Sequence, residues 1–130
     1  MKVVFDTNVY VSALTLPGGA AAQALDRVVN GEHELFLSKP LLDELLSVLA
    51  RKFARDREEL ARVAVFLSEL AVTVRPGRRL RVLDDDADNR VLECGLAGQV
   101  HAVVTGDRQM LKLGPYRDIG IMTIREFLSS

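Results

Sequence analysis

Apolar positions fall along this chain in two patterns, short continuous runs and helical stripes. Residues 2–5 form an apolar, β-branched run cut off by polar Asp6, Thr7 and Asn8. That predicts a buried strand with turn or functional residues at its C-terminal end. After the break at Pro17-Gly18-Gly19, residues 20–29 read as a helix ending at Asn30-Gly31, and residues 34–37 as a second strand. Ser38 is a plausible N-cap and Pro40 suits a first turn, so a helix is expected over 40–52. Its stripe is Leu42, Leu45, Leu46 and Leu49 at i, i+3, i+4 and i+7. A second amphipathic helix over 57–70 repeats the pattern with Leu60, Val63, Ala64, Leu67 and Leu70, and residues 71–74 make a third strand candidate.

From 75 to 88 the chain is rich in Pro, Gly, Arg and Asp, which predicts a loop ending in the acidic run Asp84-Asp85-Asp86-Ala87-Asp88. A helix follows, with Val91, Leu92, Gly95 and Leu96 on one face and Gly98 as its end. Residues 102–104 form a fourth strand stopped by Thr105-Gly106-Asp107. A short helix (109–113), a last strand (119–122) and a terminal helix (123–128) complete the chain. Short apolar strands alternating with amphipathic helices are the pattern of βαβ units. The expected fold is α/β: a three-layer α/β/α sandwich with a mainly parallel, Rossmann-like sheet, formed by residues 1–130 as one domain. The sequence holds no internal repeat and no low-complexity segment.

Composition narrows the functional classes. At 130 residues and 48% hydrophobic content, the chain is the size of one ordinary domain with one core. Cys94 is the single cysteine, which excludes an intramolecular disulfide and the thiolate clusters of structural zinc sites. Cys94, His33 and His101 read as structural or surface residues. No run reaches the apolar length of a signal peptide or membrane span, so a cytoplasmic protein without membrane contact is expected. A net charge of -1 gives no global attraction to nucleic acid, and any footprint must be local. Two basic stretches qualify, one with Arg51 and Arg55, the other with Arg78 and Arg79. On sequence alone a solvated helix end and a solvated loop are the favoured readings of the two.

The acids carry more information. In an open parallel sheet, sites form outside the carboxyl ends of the strands, and two strands here lead into aspartates, Asp6 and Asp107. Either could be only a turn former or helix N-cap. Glu44 lies in line with Leu41 and Val48 on its helix, flanking the apolar stripe, and there needs a partner, whether Lys52, Arg51 or an ion. The run Asp84 to Asp86 is explained by the dipole of the helix it opens, whereas Asp88, Asn89 and Glu93 are better site candidates. Carboxylates converging at one sheet edge repel unless a cation neutralises them. Oxygen-only ligands favour a hard ion, magnesium or manganese, over zinc. Such an ion activates water and stabilises in-line displacement at a phosphodiester, which is nuclease chemistry.

Four segments together resemble the PIN-domain family, which includes the toxin components of bacterial and archaeal toxin–antitoxin modules. They are the strand ending in Asp6-Thr7-Asn8, the S-x-x-L-L-x-E-L stretch carrying Glu44, the D-N-R-V-L-E-C segment from Asp88, and V-V-T-G-D ending at Asp107. The likeness spans nearly the whole chain, and the order and spacing of the segments make it fairly specific. It implies an RNA-cleaving enzyme in which Asp6, Glu44, Asp88 and Asp107 hold one or two magnesium or manganese ions. Asn8 and Thr105 would order those ligands through hydrogen bonds. Asn89 stands where many relatives have Asp, leaving Asp88 and Glu93 as alternatives for the third acid. The resemblance further implies RNA as substrate, a homodimer, and a small antitoxin protein as inhibitor.

Two other readings compete. In a haloacid-dehalogenase-like phosphatase Asp6 would be the nucleophile, but the second aspartate needed two residues on is here Asn8, and no lysine accompanies the later strand-end acid. A non-catalytic module could keep the metal and hold RNA or protein. Clustered acids that cost stability without an ion argue against an inert scaffold.

Overall fold

The computed structural model describes residues 1–54 and 56–130. Five strands, β1 (Lys2–Phe5), β2 (Glu34–Ser38), β3 (Val72–Val74), β4 (Ala102–Val104) and β5 (Gly120–Met122), form one sheet in the order β3-β2-β1-β4-β5. All four neighbouring pairs are parallel. Seven helices connect and cover them: α1 (Thr7–Thr15), α2 (Ala20–Val29), α3 (Lys39–Phe53), α4 (Arg57–Leu70), α5 (Asp86–Gly98), α6 (Arg108–Leu113) and α7 (Ile124–Leu128). The expected three-layer α/β/α sandwich is the observed architecture.

Consecutive buried residues show that the central strands are covered on both faces. Val3, Val4 and Phe5 are fully buried, as are Val103 and Val104, and Leu35 and Leu37 nearly so. Only a sheet sandwiched between helices buries neighbouring side chains that point to opposite faces. The edge strands β3 and β5 lack this continuous burial.

Three departures from the sequence reading bear on the site. α1 was not expected, because Thr7-Asn8-Val9-Tyr10-Val11 is rich in β-branched and aromatic residues with weak helix propensity. It forms because Asp6 caps its first turn and because Val9, Tyr10 and Val11 are buried, with α2 and α3 packed against the helix. On α3 the core side is Leu41, Leu45 and Leu49, while Leu42 and Leu46 are half-buried, so the stripe is turned from the expected one. α5 begins at Asp86, and Gln99 in the left-handed conformation ends it instead of Gly98. Gly98 serves packing: a Cβ there would lie 2.8 Å from Phe36 Cδ2, so α5 can settle on β2 only without a side chain.

Candidate active site

Connections from β1 run outward to β2 and β3, whereas β4 and β5 lie on the other side of β1. The strand order therefore reverses between β1 and β4, and the crevice beyond their carboxyl ends is the position at which open α/β sheets bind ligands. Asp6 directly follows β1, and Asp107 lies three residues past β4.

Both aspartates cap helices and line the crevice, so the structural and functional explanations for them are compatible. Asp6 Oδ1 accepts the Asn8 backbone N–H (2.6 Å) at the start of α1, and Asp107 Oδ1 accepts the Met110 N–H (3.0 Å) at the start of α6. Thr105 ties the pair together. Its hydroxyl donates to Asp6 Oδ2 and accepts from the Asp107 backbone N–H at 2.9 Å. Thr105 is fully buried, and Asp6 is almost so.

A small cavity of about 110 Å³ joins these residues to Glu44 and Asp88. Asn8, Asp85, Val48 and Val91 complete most of its wall. Glu44 and Val48 come from successive turns of α3, and Asp88 and Val91 from α5, which packs against α3. At about 30 Å³ per water the space holds a few water-sized ligands, an ion with its solvent or one phosphate oxygen, and no nucleobase.

The electrostatics follow from crowding like charges in a half-dry pocket. Burial first, and then repulsion from Asp107, Asp85 and Asp6, together push the Asp88 carboxyl up to about 7. Asp6 also rises, chiefly through burial and against the stabilising hydrogen bonds from Thr105 and Asn8, with Asp107 adding repulsion. Among the described residues Glu44 makes no ion pair, so the expected contacts with Lys52 or Arg51 are not formed. As the side chains stand, no three acids among the described residues form a ready ligand set for one ion. The donor chemistry, carboxylate oxygens with Asn8 beside them, fits a hard divalent cation.

The other predicted residues lie elsewhere. Asn89 is buried outside the cavity: its Oδ1 accepts from the Val82 (3.0 Å) and Leu83 (2.8 Å) N–H groups, and its Nδ2 donates to the Leu83 carbonyl (2.8 Å). Glu93 also turns away, accepting the Leu80 N–H (2.7 Å) and pairing with Arg90 (2.9 Å). Both residues pin the preceding loop onto α5. Arg51 is exposed in the last turn of α3, and Arg55 lies outside the described residues. Arg78 and Arg79 line a separate, larger cavity. Sequence reasoning explained Asp85 by the helix dipole alone. It does cap α5, accepting the Ala87 N–H at 2.9 Å, but it also lines the acidic cavity. Its place one helical turn before Asp88 was the available signal.

A PIN-domain family model matches residues 2–109, most of the chain. This protein belongs to the PIN-domain family. PIN domains are nucleases, and the fold is that of the family. The chain is 27% identical over 117 residues to the uncharacterized protein MJ1680 of Methanocaldococcus jannaschii, covering 87% of this PIN domain and 75% of that protein. Its fold is similar to VapBC2 from Rickettsia felis, solved bound to a DNA fragment from its promoter, with a TM-score of 0.65 and 14% identity, covering 95% and 98% of the two chains. It is also similar to VapBC-1 from nontypeable Haemophilus influenzae, with a TM-score of 0.67 and 14% identity, covering 96% and 99%. Membership removes the phosphatase reading. Among the described residues no helix is long and apolar enough to cross a membrane.

Proposed function

We propose that this PIN domain is a magnesium- or manganese-dependent ribonuclease whose site is Asp6, Glu44, Asp88 and Asp107. The observation that carries the reading is the convergence of these four carboxylates, from two strand ends and two helices, on one small cavity at the point where strand order reverses. Of the two alternatives for the third acid, Asp88 lines that cavity and Glu93 does not.

Asp6, Glu44, Asp88 and Asp107 would hold the ion or ions. A bound divalent ion supplies an activated water and charge stabilisation for an in-line displacement at phosphorus. The chain's own contribution is placement. Thr105 and the Asn8 N–H fix both oxygens of Asp6, so this carboxylate is preorganised. Glu44 and Asp107 are half-buried and keep oxygens open to the cavity. Val48 and Val91 exclude bulk water on one side, which strengthens every charge interaction inside.

The likeness in fold to VapBC structures supports a role as the toxin of a toxin–antitoxin pair, held inactive by a small antitoxin protein. A cytoplasmic homodimer is the form we expect. The test is incubation of the purified protein, free of partner, with single-stranded RNA and manganese or magnesium. Cleavage that stops with chelator and is lost in Asp6→Asn is expected. RNA left intact with both metals, while the protein still binds it, would replace the enzyme reading with that of a binding module.

A further inference from the structure

A second cavity is larger than the acidic one. It measures about 750 Å³ and opens beside the β2 and β3 strand ends, with cationic side chains from Lys39, Arg75, Arg78, Arg79 and Arg90. Its volume is within the range of sites that take small ligands or single nucleotides. Lys39 is paired with the exposed Asp43 at 2.9 Å, whereas Arg75, Arg78 and Arg79 have no ion pair among the described residues. Three unpaired guanidinium groups thus face one concavity in a chain of net charge -1.

The floor has a feature that surface arginines lack. Arg90 is only 9% exposed, and its Nη2 serves Glu93 at 2.9 Å and the Leu80 carbonyl at 3.2 Å. Its Nε is buried with no hydrogen-bond partner among the described residues. A buried donor left unpaired costs about 1–3 kcal/mol, and a guanidinium held fixed in the lining of a cationic cavity is suited to donate to an anionic oxygen. Glu93 and the Leu80 carbonyl hold this arginine still, and Pro40, Val74 and Pro76 supply apolar wall.

This cavity and the acidic one are two sides of the same helix. Residues 90 and 93 project at roughly 200° and 140° from residue 88 around α5, by the helical period. Both cavities lie at the carboxyl end of the sheet. The β2–β3 junction is two strand spacings, about 10 Å, from the β1–β4 junction. That is about three stacked nucleotide steps at 3.4 Å each.

We infer that the cavity over Arg90 is a phosphate-binding subsite for single-stranded RNA, gripping the backbone a few nucleotides from the bond cut in the acidic pocket. The inference rests on the nuclease reading for its second half only, since the binding needs no metal. Arg78 and Arg79 contact the backbone from the rim and Arg90 from the floor. These are phosphate contacts, so they add affinity without base preference.

The test measures binding in EDTA, where no cleavage can occur, by fluorescence anisotropy of a labelled ten-nucleotide oligo-uridylate against salt. Expected is a dissociation constant tighter than about 100 µM at low salt, the weak end of non-specific binding. In the exposed Arg78→Ala/Arg79→Ala double variant, with an unchanged melting temperature, the log–log salt slope should shrink by about 1.4, at about 0.7 for each phosphate that is no longer neutralised. Unchanged slope and affinity, or no binding by the parent protein, overturns the subsite. A ten-residue poly-glutamate peptide that binds more tightly than the RNA through the same arginines also overturns it, making the cavity a dock for acidic protein. Arginine-dependent RNA binding without cleavage in metal would sink the nuclease proposal and leave the subsite standing. Cleavage with no arginine dependence would do the reverse.

Discussion

Asp88 and Glu93 are five residues apart on one helix, both more than nine-tenths buried, and they are held in opposite ways. Glu93 is matched: Arg90 lies 2.9 Å away and the Leu80 N–H donates at 2.7 Å, so a buried charge has a cation and a dipole to answer it. Asp88 faces Asp6, Asp85 and Asp107, each of which raises its pKa, with no cation beside it among the described residues. A satisfied acid stabilises the fold, and an unsatisfied one stores repulsion that a ligand can relieve. The difference separates the two kinds of buried carboxylate on α5, and under the proposed function Glu93 serves structure and Asp88 chemistry.

The sharpest test on the acidic side is Glu44→Gln, which keeps volume and removes charge. RNA cleavage should fall by about 1000-fold, roughly 4 kcal/mol of barrier, while circular dichroism and melting match the parent. Turnover within tenfold of the parent would remove Glu44 from the site.

On the structural side, Glu93→Ala should cost about 3 kcal/mol in a urea titration, because it strands the buried Arg90 charge and the Leu80 N–H. If the loss stays near 0.5 kcal/mol, a value usual for surface changes, the Arg90 pair is not what holds the loop to α5.

The smallest effect has the opposite sign. In chelator at pH 8, Asp88→Asn should melt about 4 °C above the parent, the equivalent of about 1 kcal/mol. The folded-state pKa of Asp88 is raised, so the stability tied to its neutral form is present below its ordinary value and lost as pH rises through about 7. The variant's advantage should therefore shrink between pH 8 and pH 5. Added manganese should reverse the order, stabilising the parent by about 2.7 kcal/mol at a 100-fold excess over its dissociation constant and the variant less. A variant that melts below the parent in chelator would mean that Asp88 is matched like Glu93.

Local pattern was enough for most of the scaffold. The runs at 2–5, 34–37 and 102–104 could be read as buried strands because each is apolar and bounded by polar residues. The helix over 57–70 followed from periodicity, and that over 20–29 from the break before it and the Asn30-Gly31 end after it. Asp6, Glu44, Asp88 and Asp107 were legible because two end strands and all four sit in family segments. α1 was not legible: its residues prefer strands, and only burial against α2 and α3 with the Asp6 cap makes them helical.

Sequence by itself determined the fold class and marked the candidate acids, with Asp88 and Glu93 left as alternatives, since these depend on residue type and on spacing along one element. Tertiary structure decided what depends on direction. It turned Asp88 into the acidic cavity and Glu93 and Asn89 onto the loop, although all three lie within six residues of α5. It also gathered Arg78, Arg79 and Arg90 from a loop and a helix into one concavity, a juxtaposition no local period encodes. The physical reason is that a helix rotates about 100° per residue, so neighbours in sequence meet different surroundings, and only the packed sheet and loops supply those surroundings.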